Sequence, residues 1–168
     1  MKIAVLGYSG AGKSTLAGIL AQHYDIPVLH LDTVAFKPGW QNRDKEERKE
    51  IVSNFMKNES WVIDGNYKIL FRADRLEQAD KIIILSFNRF FCLKSVFKRY
   101  FMYKGKTRPD MADGCDEKID LEFILWILYR GRTRKIRKDY KNICNQYKSK
   151  TLWLTNRKQV NDYINSLK

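Results

Sequence analysis

The sequence predicts an α/β fold, a parallel sheet of five strands covered by helices on both faces. Three observations carry this reading. Five short apolar runs punctuate the 168 residues, "KIAVL", "IPVLHLD", "WVIDGNY", "KIIILSF" and "TLWLT". The stretches between them place apolar residues at helical spacing. The first three runs end in a glycine loop, Asp32 and Asp64, and sheets of this kind bind ligands beyond the carboxyl ends of their strands.

The elements follow in order. Lys2–Leu6 reads as the first strand, and Ser14–Tyr24, with Leu16, Ile19, Leu20 and Tyr24 on one face, as the first helix. Ile26–Asp32 is the second strand, opened by a proline and closed by an aspartate. Phe36–Asn42 is a loop turned by Pro38-Gly39. Asp44 and Glu47 open a capped helix over Asp44–Lys57. Trp61–Tyr67 is a third strand running into a turn at Gly65, Arg72–Ala79 a short helix and Lys81–Phe87 a buried fourth strand. A basic helix over Phe90–Tyr103 leads into Lys104–Lys118, a polar stretch with two glycines and a proline, which reads as a mobile lid. One long helix is expected from Ile119 to Tyr147, then a strand at Thr151–Thr155 and a helix at Gln159–Leu167. Repeats, linkers and low-complexity segments are absent, so residues 1–168 read as a single domain, with a substrate-side insertion over 33–60 and the lid over 104–118.

Between the first strand and helix lies "GYSGAGKST", which matches G-x-x-x-x-G-K-[ST]. Its glycines let the backbone curl so that N–H groups point at phosphate oxygens. Gly7, Ser9, Gly10, Ala11, Gly12, Lys13, Ser14 and Thr15 are the candidate nucleotide-binding residues. Lys13 would reach the β- and γ-phosphates, and the Ser14 hydroxyl would ligate Mg²⁺. Asp64, ending an apolar strand, stands where such proteins place the carboxylate that holds Mg²⁺. Asp32 has no metal duty and sits where an acceptor would enter, as a base for an attacking hydroxyl. Phe36 and Trp40 are candidate walls of the acceptor pocket, and Arg72 and Arg75 follow the third strand closely enough to reach it. Arg89, Arg99, Arg108, Arg132 and Arg134 are candidate lid charges that stabilise phosphoryl transfer. The candidate catalytic set is Lys13, Asp32, Arg108 and Arg132; the substrate set is Asp32, Phe36, Trp40 and Arg72; the metal set is Ser14 and Asp64.

Composition narrows the function classes. The longest apolar run, "FILWILY", is far too short to span a bilayer, and "MKIAVLG" is too short for a signal peptide. Three cysteines without a C-x-x-C, beside two histidines, speak against a disulfide framework or a structural zinc site and for a reducing cytoplasm. Charge is uneven: residues 1–88 carry 12 Lys/Arg against 11 Asp/Glu, and residues 89–168 carry 20 against 8. The basic half would attract anions, phosphate or nucleic acid, with no motif for reading bases; weak non-specific nucleic-acid binding is expected from it, and no membrane partner.

The segments "GYSGAGKSTLA", "IPVLHLDTVAFKPGW", "WVIDGNY", "RADRLEQADKIIILSFNRFFCLKSVFKR", "RPDMADGCDEKIDLEFILWI" and "TLWLTNRKQVNDYI" together resemble the adenylate-kinase-related P-loop proteins called DNA topology modulation proteins, the FlaR-like group. The resemblance implies a nucleoside- or adenylate-kinase type of P-loop NTPase fold, with strand order 2-3-1-4-5, ATP and Mg²⁺ at Gly10–Thr15, and a kinase-like lid around Arg108. "DGNY" stands where adenylate kinase carries "DGFPR", which speaks against AMP as the acceptor. Three readings follow: an ATP-dependent phosphotransferase for a small molecule or nucleotide, a nucleotide-dependent nucleic-acid-binding regulator, and an NTPase without an acceptor.

Overall fold

A computed structural model describes residues 1–106, 110–111 and 114–167. The three central apolar runs become strands buried on both faces, and the two edge runs are partly covered. β1 (Lys2–Gly7) sits at the centre, with Ile3, Ala4, Val5 and Leu6 wholly inaccessible to solvent. Beside it run β5 (Trp61–Asp64) and β6 (Lys81–Leu85), whose Ile82–Leu85 are equally buried. β2 (Val28–His30) and β7 (Thr151–Leu154) form the edges, giving an all-parallel sheet in the order β2-β5-β1-β6-β7. Counting these five strands alone, the order is 2-3-1-4-5, as the resemblance implied.

The helices on the two faces are α1 (Lys13–Tyr24), α3 (Lys45–Met56), α4 (Arg72–Gln78), α5 (Arg89–Tyr103), α6 (Leu121–Leu128), α7 (Arg134–Gln146) and α8 (Arg157–Asn165). They close one hydrophobic core, to which fully buried side chains such as Leu16 and Leu20 of α1 each contribute about 1.5–3 kcal/mol. α3 starts as its capping residues require, with Asp44 accepting from the Glu46 and Glu47 amides.

Three elements depart from the sequence reading. The second strand ends at His30, and the chain turns at once into α2 (Leu31–Ala35), so Asp32 stands in the first turn of a helix and not at a strand end. The cause is the burial of Leu31, Val34 and Ala35, which lie on one helical face at i, i+3 and i+4. The expected loop over Phe36–Asn42 contains a small hairpin, β3 (Phe36–Lys37) with β4 (Gln41–Asn42), turned through Pro38–Trp40. Trp40 holds a left-handed φ of 64°, a conformation costing on the order of 1 kcal/mol or more for a side chain of this kind. The long helix expected from Ile119 to Tyr147 is broken into α6 and α7 by a turn at Arg130–Arg132, after which Thr133 caps α7 by accepting from the Ile136 amide.

The expected lid, Lys104–Lys118, is described in part. Positions 107–109 and 112–113, and with them the expected lid charge Arg108, lie outside the described residues. Of the described ones, Met111, Cys115 and Glu117 are buried. Glu117 pairs with Arg99 of α5, Nη2 to Oε1 at 2.6 Å.

Candidate phosphate and acceptor site

The glycine loop runs from the end of β1 to the start of α1, held to the sheet by its backbone. The Tyr8 amide donates to the Leu85 carbonyl at 3.0 Å. Gly7 is gripped by the Asn66 amide in both directions: its N–H donates to Asn66 Oδ1 at 3.1 Å, and Asn66 Nδ2 donates to its carbonyl at 2.7 Å. Tyr140 of α7 adds a donation to the same Oδ1 at 3.3 Å. Two glycines are required by contact as well as conformation. A Cβ on Gly7, at φ 142°, would lie 2.2 Å from the Leu85 carbonyl oxygen, and one on Gly10, at φ 77°, 2.5 Å from that of Cys92. The loop ends in an α1 N-terminus that has no side-chain cap and no acid in its first turn. Such an end offers its amides and its dipole to an anion. Ser9, Gly10, Ala11, Gly12, Lys13, Ser14 and Thr15 all line one cleft of about 1400 Å³. Gly7 lies behind it, at the base of the loop. Lys13 Nζ is folded back onto the Tyr8 carbonyl at 3.3 Å.

Ser14 and Asp64, the two candidate metal ligands, lie side by side. Ser14 Oγ donates to Asp64 Oδ2 at 3.0 Å, and Asp64 is only 4% exposed. Its other oxygen, Oδ1, lies 2.6 Å from His30 Nδ1. Burial lowers the pKa of this histidine, but the hydrogen bond and charge of Asp64, with the charges of Asp110 and Asp32, outweigh it and hold the imidazole above its ordinary range. His30 was not among the sequence candidates. Its place is made by sheet register, since β2 sets His30 directly opposite Asp64 of β5.

Across the cleft, Asp32 accepts from the Tyr67 hydroxyl at 2.8 Å. Burial, then the charge and hydrogen bond of Asp32, push the Tyr67 phenol well above its ordinary pKa, so it remains a donor. Phe36 and Trp40 line the same cleft, edge to face with centroids 5.2 Å apart. Trp40 is fixed at two points: its amide donates to Cys115 Sγ at 3.3 Å and its indole N–H to the Asp116 carbonyl at 3.0 Å. Asp32, Phe36 and Trp40 are thus brought together with the phosphate loop.

Three arginines are placed otherwise than the sequence suggested. Arg72 is absent from the cleft; it grips Asp139 of α7 with two bonds, 2.7 and 2.9 Å, and holds that carboxyl below the usual range. Arg75 is fully buried and donates to the carbonyls of Leu70, Gly65 and Tyr67, shaping the turn after β5; desolvation lowers its pKa to about 10. Arg132 is a joint rather than a lid charge. Only 9% exposed, it donates Nε to the Ile127 carbonyl and Nη1 to the Phe87 carbonyl, both at 2.7 Å, and lies 3.9 Å over the Tyr8 ring. The α6 carbonyl left open by the helix break is thereby satisfied. Arg157 of α8, which the sequence reading passed over, lines the cleft beside Gly12.

The sheet order and the glycine loop that leaves its central strand together give the chain a P-loop kinase-like fold. An uncharacterised protein from Eubacterium ventriosum ATCC 27560 has a similar structure, with a TM-score of 0.50 at 16% identity over 99% of this chain and 97% of that one. Shikimate kinase from Bacteroides thetaiotaomicron aligns over 99% of this chain and 96% of its own at 18% identity, with a TM-score of 0.45. At such identities the first likeness is one of fold, and the second bears on nothing further. No family model and no curated protein matches the chain.

Proposed function

We propose that this chain is an ATP-dependent phosphotransferase acting on a small-molecule or nucleotide acceptor. One observation carries the reading: Asp64 bridges Ser14 and His30 at the foot of the phosphate loop, while a second carboxylate, Asp32, faces the same cleft from the acceptor side. A plain NTPase has no use for Asp32 and its aromatic wall. The residues present fit ATP and Mg²⁺. The uncapped start of α1 and the amides of Gly10–Thr15 would hold the phosphates, Lys13 would swing from the Tyr8 carbonyl to meet them, and Ser14 with Asp64 would hold the metal. Bound there, Mg·ATP supplies the phosphoryl group and a cation to neutralise it. Asp32 orients the acceptor hydroxyl and takes its proton, and Tyr67, by donating to Oδ1, leaves Oδ2 to do so.

The finer reading, a member of the DNA topology modulation group working in a reducing cytoplasm, is supported by the motifs quoted above and by free Cys92, Cys115 and Cys144. Among the described residues no helix is long and apolar enough to cross a membrane.

The test is titration of Mg·ATP into the protein and its Lys13→Ala variant. The variant should lose charge-assisted contacts worth about 1.5–3 kcal/mol, a fall in affinity on the order of tenfold or more, with its circular dichroism unchanged. Equal affinity and equal turnover would remove the nucleotide assignment.

A further inference from the structure

Four consecutive residues, Asp64 to Tyr67, carry the chain out of β5 and reach three parts of the site. Asp64 accepts from Ser14 at the start of α1. Tyr67 donates to Asp32 on the acceptor side. Between them, Asn66 holds Gly7, where β1 passes into the phosphate loop. The chain turns at Gly65, with φ 131°, and a Cβ there would stand 2.8 Å from that of Leu31. Fully buried Arg75 fixes the turned backbone through the carbonyls of Gly65, Tyr67 and Leu70.

The two bonds of Asn66 to Gly7 stand in for a ladder that the backbone has left. β1 and β5 run side by side as far as Val5 and Asp64, and the Gly65 amide adds a bond to the Val5 carbonyl at 3.0 Å. Beyond it the chain turns away from β1. The Asn66 side chain then offers Gly7 an acceptor and a donor together, as a neighbouring peptide would. On the other flank the ladder is intact: Gly7 stands opposite Leu85 of β6, and the Tyr8 amide donates to the Leu85 carbonyl. The loop is thus rooted between one strand and one amide side chain. Tyr140 sets which way that amide faces, because its hydroxyl donates to the same Oδ1. Burial, then the influence of Tyr8 and Asp139, pushes the Tyr140 phenol well above its ordinary pKa, so it remains a donor.

We infer that Asn66 is a positioning residue of the phosphate loop: acting through Gly7, it sets where Gly10–Thr15 stand relative to Asp64 and Asp32. This rests on the phosphotransferase reading and adds to it a residue that does not line the cleft. Nucleotide affinity comes from loop amides that move together, so a shift of the whole loop costs it little. Transfer depends on the spacing between the loop and the two carboxylates. A misplacement of about 1 Å can cost on the order of 10²-fold in rate.

The experiment compares the parent with Asn66→Ala, which removes both bonds to Gly7, and with Asn66→Asp. The second variant keeps acceptors for the Gly7 N–H and the Tyr140 hydroxyl and loses only the donor to the Gly7 carbonyl. Asn66 is itself exposed, so truncating it opens no void in the core, and cooperative urea transitions check that both variants fold. In nucleotide-free, ¹⁵N-labelled protein, the Gly10 and Gly12 amide resonances should shift in both. With Mg·ATP and water as the acceptor, kcat should fall tenfold or more in Asn66→Ala and several-fold in Asn66→Asp. The KM of Asn66→Ala for Mg·ATP should change less than threefold. The proposal is overturned if the glycine amides stay in place, if kcat stays within twofold of the parent in both variants, if the loss falls on KM alone, or if neither variant folds. The parent reading fails separately, when the unaltered protein neither binds nor hydrolyses Mg·ATP; the glycine amides, read without nucleotide, then still decide whether Asn66 places the loop.

Discussion

Asp32 lines the cleft and Asp64 lies buried behind Ser14 and His30 at its edge, so their substitutions should separate. Asp32→Asn keeps the Tyr67 contact and loses the proton acceptor, so nucleotide affinity should persist while transfer falls roughly 10²–10⁴-fold. Asp64→Asn should instead raise the Mg²⁺ concentration needed for half-maximal turnover, whatever the acceptor. Steady-state rates across a Mg²⁺ series distinguish the two; an Asp32→Asn enzyme with undiminished transfer contradicts the proposed base. Arg72 answers to a different measurement. Because Arg72 depresses the Asp139 pKa, the pair stabilises the fold above the ordinary carboxylate range and loses that contribution as pH falls through the lowered value. Arg72→Ala should therefore be destabilised relative to the parent at pH 7, with the gap closing towards pH 3, read from urea midpoints at each pH. Legibility at this scale divides by locality. Lys13 and Ser14 could be read from spacing within one loop, and Asp64 from the end of an apolar run. The partners of Arg72 and Arg132, and the role of His30, are set by contacts 67, 45 and 34 positions away in the chain, which no local pattern reveals.

Among the elements, the β3–β4 hairpin and the α6–α7 joint each convert a short sequence into a positional device. The hairpin carries Phe36 and Trp40 into the cleft, and Trp40→Ala should raise the acceptor KM while nucleotide affinity holds, as measured by initial rates at saturating ATP. The sequence showed Pro38-Gly39 as a turn but not the strands beside it, because two-residue strands have too few positions to display a period. The joint is formed by Arg132, whose guanidinium ties the end of α6 to the end of β6 beneath Tyr8. Arg132→Ala should cost on the order of 2–3 kcal/mol in unfolding free energy, while protein kept folded at low temperature retains its ATP affinity. A large loss of transfer with stability intact would return Arg132 to the catalytic set. Gly131 and Thr133 mark the helix break in hindsight, but the apolar periodicity on both sides of it masked the joint.

For the whole molecule, order of strands and polarity of charge are the features that matter. The order could be anticipated because five apolar runs, a glycine loop on the first and helical spacing between them leave few parallel arrangements. Charge is harder to interpret from totals, since the basic residues divide between buried ties such as Arg75 and Arg132 and an exposed set on α7, where Arg134, Lys135, Arg137, Lys138 and Lys141 face solvent. That exposed set should bind nucleic acid through phosphates alone: without sequence preference, in roughly the 10⁻⁴–10⁻⁶ M range, and falling steeply as salt rises. Fluorescence anisotropy with two unrelated duplexes across a salt series checks it. Tight binding to one of them that responds to ATP would favour a nucleic-acid regulator over a phosphotransferase.

The tie between Trp40 and residues 115–116 has a kinetic consequence. The side wall of the acceptor pocket and the stretch returning from α5 are fastened by a thiol contact and a single N–H to carbonyl bond, each in the class worth about 1 kcal/mol. Two such bonds hold Trp40 in place together, but breaking both costs little enough for local opening without global unfolding. The rate at which the Trp40 amide exchanges its hydrogen for deuterium therefore reports how often this wall parts from the stretch beside it.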